Sequence, residues 1–166
     1  MINADFCAGS VLITFGVLLG KVSLSQMLII ATFESFFWCL NEALVIIKIE
    51  AADIGGTMVI HMFGAYFGLV CSYFFKPKEA NSSKENVSSY NHNLTAFAGT
   101  IFLFMYWPSF NAALQGYGSQ VRSMVNTYLS IAASTVIASS CSRLYLGKLD
   151  VEVVLNATLA GGVVTN

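Results

Sequence analysis

His61 stands between Ile60 and Met62, inside an apolar run that begins near residue 54. A neutral imidazole donates from one nitrogen and accepts at the other, and desolvation favours that neutral form. Such a group suits the passage of a small polar molecule or a proton. It equally suits a hydrogen bond that packs two helices, and the residue alone leaves both readings open. Asp53 lies eight residues earlier, about two helical turns away and too far to bond His61 directly. Followed by Ile54-Gly55-Gly56, it reads as a helix N-cap or as part of a cation-attracting site. Glu42 falls near the end of the preceding apolar run, where it would make a mouth negative, and Glu34 falls in the middle of that run, where it needs a partner or a proton. Insertion of an aspartate at a bilayer centre costs on the order of 2.5–3.5 kcal/mol, so each of these acids is a functional candidate.

The elements that must hold these groups follow from composition. Of 166 residues, 56% are hydrophobic and 10% charged, where a soluble domain carries about 25% charged residues. This balance excludes an ordinary soluble enzyme, and the hydrophobicity excludes a disordered chain. A net charge of −1 offers no basic patch to nucleic acid. The expected fold is all-α, a polytopic membrane helix bundle, with about six transmembrane helices at roughly 20 apolar residues each. The spans are expected at 2–20, 24–47, 54–75, 94–114 and 124–142, with a sixth beginning after Asp150. From Val153 to Asn166 there remain 14 residues, about 21 Å of helix against a hydrocarbon core of ~30 Å, so the chain is expected to be a fragment truncated at its C-terminus. It opens within an apolar run, with no signal-peptide n-region. Residues 76–93, from the Lys76-Pro77-Lys78 cluster through a Ser- and Asn-rich stretch, read as a loop.

The odd-numbered loops hold Lys21, Lys76, Lys78, Lys84, Arg143 and Lys148, against Lys48 and Arg122 in the even ones. That bias places the odd loops, 76–93 included, in the cytoplasm and the N-terminus outside. Sequons occur at Asn81, Asn86, Asn93 and Asn156; the first three fall in or beside the cytoplasmic loop, where glycosylation is not expected. Cys7, Cys39, Cys71 and Cys141 all lie in apolar spans and read as small buried hydrophobes without metal-ligand spacing. Gly16/Gly20 and Gly64/Gly68 are GxxxG pairs, which bring helix backbones together within the bundle or between subunits. Pro108, inside the fourth span, removes a backbone bond from the Phe104 carbonyl and favours a kink. Phe6 and Phe110 fall near the outer ends of the first and fourth spans. Their rings would restrict entry to a polar site below them, or serve packing alone. No nucleophile–base pair, metal cluster or phosphate loop marks an enzyme, and no cofactor is implied.

Four segments lie in order along the chain: Asn3-Ala4-Asp5-Phe6; Asp53-Ile54-Gly55-Gly56 running to His61-Met62-Phe63-Gly64-Ala65-Tyr66-Phe67-Gly68; Trp107-Pro108-Ser109-Phe110-Asn111; and Asn156-Ala157-Thr158-Leu159-Ala160-Gly161-Gly162. Together they resemble the ammonium transporter/Rh glycoprotein family, on the Rh side, over essentially the whole chain. The resemblance implies that residues 1–166 are part of one ammonium transporter-like membrane domain of eleven or twelve helices. It implies a homo- or heterotrimer in the lipid bilayer, each subunit with its own hydrophobic pore. It further implies that Phe6 and Phe110 form a phenylalanine gate and that His61 is the first of two pore histidines. Asp53 would be the acid behind the outer site and Glu42 the acid of the Rh outer mouth. No tryptophan stands between Asn41 and Ile47, where the ammonium-transporter branch carries one at its recruitment site; this favours the Rh branch and speaks against tight cation binding.

The function expected on this resemblance is conduction of ammonia or ammonium by a multi-pass protein of the plasma membrane. Methylamine and carbon dioxide are further candidate substrates. The competing reading is a non-transporting structural or scaffold subunit of an Rh-type membrane complex.

Overall fold

The structure, a computed structural model, describes residues 2–84 and 87–165. Among these residues it is helical, with six α-helices. Helix α1 spans Ile2–Leu18, α2 Leu24–Glu42, α3 Phe63–Phe75, α4 Tyr90–Ala112, α5 Gln120–Leu146 and α6 Val151–Val163. Two six-residue π-helical stretches interrupt the first half: Ala43–Lys48 continues α2, and Thr57–Met62 leads into α3. A 3-10 turn, Ala80–Ser82, lies in the 76–89 loop. Two compact units form, Met1–Asn86 and Val87–Asn166.

In the first unit α1 turns to α2 through Gly20, whose φ of +73° lies in the left-handed region that favours glycine. Ser23 then opens α2 with a capping box: its hydroxyl accepts the Gln26 N–H while the Gln26 side-chain oxygen accepts the Ser23 N–H. Helix α1 buries Phe6, Ser10, Thr14 and Leu18, a stripe at four-residue spacing that keeps one helix face inward. Against it lie Gly64 and Gly68 of α3. A methyl group added at Gly64 would sit 2.7 Å from the Ser10 carbonyl oxygen, and one at Gly68 3.1 Å from the Thr14 Cα. This second GxxxG pair therefore seats α3 on α1, as small residues do where lipid offers no hydrophobic drive. The first pair does not act so. Leu18 ends α1, so Gly20 belongs to the turn, and a methyl at Gly16 would meet nothing within 4 Å. Near this end Leu18, Met27 and Ile30 form an apolar core with Phe67 and Cys71. Lys21 donates to the Val17 carbonyl and the Ser72 hydroxyl, holding the end of α1 to the end of α3.

In the second unit Ser89 caps α4 by accepting the His92 N–H, so this helix starts at Tyr90 and takes in residues 90–93 of the polar stretch. It remains helical across Pro108, where the Ser109 hydroxyl donates to the Tyr106 carbonyl. Gly147, at φ +71°, ends α5, and Asp150 caps α6 by accepting the N–H groups of Glu152 and Val153. Gly161 lets α6 lie on α5, since an added methyl would come within 2.8 Å of the Ser130 carbonyl and the Ile131 Cα. Ser134 of α5 donates to the Ala157 carbonyl of α6 at 2.7 Å.

Polarity is distributed inside out. Leu28, Phe33, Leu69, Phe74, Leu129 and Ile137 face outward, while Ser10, Thr14, Glu34, Asn111 and Thr127 are buried. Leu24–Lys48, Thr57–Phe75 and Gln120–Leu146 are each long and apolar enough to cross a membrane. Helices α1 and α6 are apolar but shorter. Helix α4 has the length, but Tyr, Trp, Pro, Ser and Asn dilute its apolar run. Within each unit apolar side chains face outward and polar ones are buried, and helices of this length and composition mark an integral membrane protein. Asn86 and Asn166, named above for a sequon and for the chain end, lie outside the described residues.

Candidate functional site

The π turn carrying His61 has an unusual start. Asp53 is 7% exposed, and its Oδ2 accepts the backbone N–H groups of Met58 and Val59, each at 2.8 Å. Gly56, at φ +78°, swings the chain back so that its carbonyl accepts the N–H of Ile60 at 2.9 Å and of His61 at 3.2 Å. One carboxylate thus satisfies two of the N–H groups that a helix start leaves open. The capping role of Asp53 is present, reaching five and six residues ahead rather than the usual two or three. π-Helical turns concentrate at functional sites because their extra residue re-aims a side chain. Here the turn contains His61, which is half-buried.

Phe6 shares the inward face of α1 with Ser10 and Thr14 and is 4% exposed. The same helix approaches the His61 turn closely, since a methyl at Gly9 would touch Ile60 Cγ2 at 3.4 Å. Glu42, half-buried, stands at the last residue of α2 before its π-helical continuation. His61, Asp53, Phe6 and Glu42 therefore all belong to the first unit. Phe110 belongs to the second, where it is half-buried with its ring 6.3 Å from that of Trp107. Trp107 rests on Gly162: a methyl there would collide with the indole.

Two buried polar residues, Glu34 and Asn111, have partners that sequence spacing does not name. Glu34 is fully buried, with Oε1 2.7 Å from Thr14 Oγ1 and 3.2 Å from Ser10 Oγ. Ser10 and Thr14 are one turn apart on α1, a periodic signal for a polar face, but nothing local names the partner helix. Asn111, next to Phe110, is also buried. Its Nδ2 lies 2.8 Å from the Gly162 carbonyl oxygen, 3.1 Å from Thr127 Oγ1 and 3.2 Å from Thr165 Oγ1, linking α4 with α5 and the end of α6.

Among the described residues no three His, Cys, Asp or Glu side chains gather in a way that could hold a metal ion. A concave space of about 400 Å³ lies away from His61, lined by Leu19, Lys21, Pro77, Glu79 and Ser82 at the ends of α1 and α3.

A family model described as Ammonium Transporter Family matches residues 1–165. The chain is 48% identical over 167 residues to "Ammonium transporter Rh type C" of Bos taurus, covering 98% of this chain and 36% of that protein. It is 48% identical over 168 residues to "Ammonium transporter Rh type B" of Homo sapiens, covering 99% and 37%. For the Rh type B protein of Oryzias latipes the identity is 47% over 167 residues, covering 98% and 36%. The chain thus spans little more than a third of the length of the curated relatives it matches.

Proposed function

This chain belongs to the ammonium transporter family, and from that premise we propose that the full-length protein conducts ammonia or ammonium across a membrane through a pore to which His61, Phe6 and Phe110 contribute. Family membership supports the substrate. The observation that carries the assignment of His61 is its placement in a π turn pinned by the buried Asp53 carboxylate. A side chain so held stays at a fixed depth while a ligand passes.

The physical argument is one of desolvation. An ion without a partner in a dry channel costs several kcal/mol or more, whereas a neutral amine costs far less. Ammonium therefore gives up its proton to water at the mouth before the dry stretch, and neutral ammonia passes by exchanging hydrogen bonds with the imidazole. Phe6 and Phe110 act as the gate that excludes water and larger solutes, Glu42 makes the outer mouth negative, and Asp53 acts through the turn that it caps. The working assembly is a trimer in the plasma membrane, with 76–93 on the cytoplasmic side.

The test is ammonia uptake by proteoliposomes holding the full-length protein. Wild type is expected to exceed empty liposomes, and His61→Ala to lose most of that excess. If wild type and His61→Ala both match empty liposomes, conduction is wrong and the scaffold-subunit reading replaces it.

A further inference from the structure

Glu34 is 0% exposed at the junction of three helices, and the proposed pathway does not use it. The deciding geometry belongs to Thr14. Its Oγ1 lies 2.7 Å from Glu34 Oε1 on α2 and 2.9 Å from the Gly64 carbonyl oxygen on α3. Both are hydrogen-bond distances, but a hydroxyl carries one proton and a carbonyl oxygen carries none. If Thr14 gives its proton to Glu34, the Gly64 oxygen faces lone pairs at contact distance. If Thr14 gives it to Gly64, the 2.7 Å contact needs a second proton, and only the carboxyl can supply it.

The surroundings point the same way. Glu34 Oε2 is buried with no hydrogen-bond partner, and among the described residues no cation lies within ion-pairing distance of the carboxyl. Lys21, at the end of α1, is bonded to Val17 and Ser72 instead. Among the described titratable groups of the packed helices, the thiols of Cys7 on α1 and Cys71 on α3 interact electrostatically with Glu34. A charged carboxylate here would leave one oxygen bare in apolar surroundings, the arrangement that buried ions avoid.

We propose that Glu34 is an un-ionised carboxylic acid whose proton closes a hydrogen-bonded chain, Glu34 Oε1–H to Thr14 Oγ1–H to the Gly64 carbonyl, that ties α2 through α1 to the start of α3. Gly64 lies three residues beyond His61, so this proton-bearing link sets where the His61 turn stands against α1. Glu34 is thereby a positioning residue. The protonation state stands on geometry alone; only its consequence for flux rests on the conduction reading.

The experiment is infrared spectroscopy of the full-length protein in lipid vesicles, with ammonia uptake measured on the same samples. Wild type is expected to show the carbonyl stretch of an un-ionised carboxyl from mildly acidic to mildly alkaline pH. Glu34→Gln, whose amide can donate to Thr14 in place of the acid, should lose that band and keep at least half of the uptake. In Thr14→Val the band should move to higher frequency, because the acid has lost its acceptor; this variant decides the matter even if Glu34→Gln does not fold. Loss of a carboxylate band in Glu34→Gln, or no displacement in Thr14→Val, overturns the proposal. Wild-type vesicles that show the band but no uptake refute conduction while leaving the protonated link intact.

Discussion

The Asp53 carboxylate accepts the backbone N–H of Val59 at 2.8 Å, two residues ahead of His61. Through this bond the acid fixes the backbone that carries the imidazole. Removing it should act on the turn first and on any transport second. Asp53→Ala is expected to cost about 1–2 kcal/mol, the range of a lost helix cap, and Asp53→Asn, which keeps an acceptor oxygen, less. Thermal unfolding of the full-length protein in detergent checks this. Equal losses in the two variants would mean that the cap contributes little.

The two glycine pairs predict opposite outcomes. A methyl at Gly64 meets the Ser10 carbonyl oxygen at 2.7 Å, whereas one at Gly16 meets nothing within 4 Å. Gly64→Ala should force α3 from α1 and cost about 1–3 kcal/mol by overpacking. Gly16→Ala should be neutral or stabilising by up to about 1 kcal/mol, as alanine is the better helix former. Unfolding midpoints in parallel distinguish them, and a destabilised Gly16→Ala would contradict the open space at that position.

Asn111 predicts a loss that its hydrophobic isostere does not rescue. Asn111→Leu leaves the Gly162 carbonyl and the Thr127 hydroxyl without the amide that links α4 to α5 and α6. Buried groups left unsatisfied cost about 1–3 kcal/mol. The variant should unfold earlier and should lower ammonia uptake, because Phe110 is the adjacent residue. An unchanged unfolding midpoint would show that the amide contributes no net stability.

At the α5–α6 turn a buried hydroxyl should outweigh a visible ion pair. Ser142 Oγ donates to the Lys148 carbonyl at 3.0 Å and accepts the Asp150 N–H at 2.9 Å, and the residue is 3% exposed. The Lys148–Asp150 pair is 3.8 Å long with the lysine side chain 73% exposed. Ser142→Ala is expected to cost about 1–3 kcal/mol and Lys148→Ala under about 1 kcal/mol. The reverse order in unfolding midpoints would refute this ranking.

Much of the architecture was legible in residue order. Apolar runs between Lys21, Lys48, the Lys76-Pro77-Lys78 cluster and Asp150 mark the helices, and Gly64/Gly68 marks a close approach. These signals are local: helix length, burial period and backbone proximity depend on residues within a turn or two of one another. The start of α4 was less legible, because the Ser89 cap extends the helix into residues that composition alone assigns to a loop. Gly16/Gly20 has the same spacing as Gly64/Gly68, yet a turn between its members removes it from any helix face.

What only the tertiary structure decided is the partnership of each buried polar group. Sequence shows that Glu34 needs a partner or a proton, and it offers Asp53 as a cap. It does not show that Glu34 meets Thr14 and Ser10, that Asp53 reaches Met58 and Val59 across a left-handed Gly56, or that Asn111 bonds Gly162, 51 residues away. Hydrophobic patterning sorts residues by face, whereas a hydrogen bond needs particular atoms within about 3 Å. Helix rotation and register, set by packing across the bundle, decide which atoms meet.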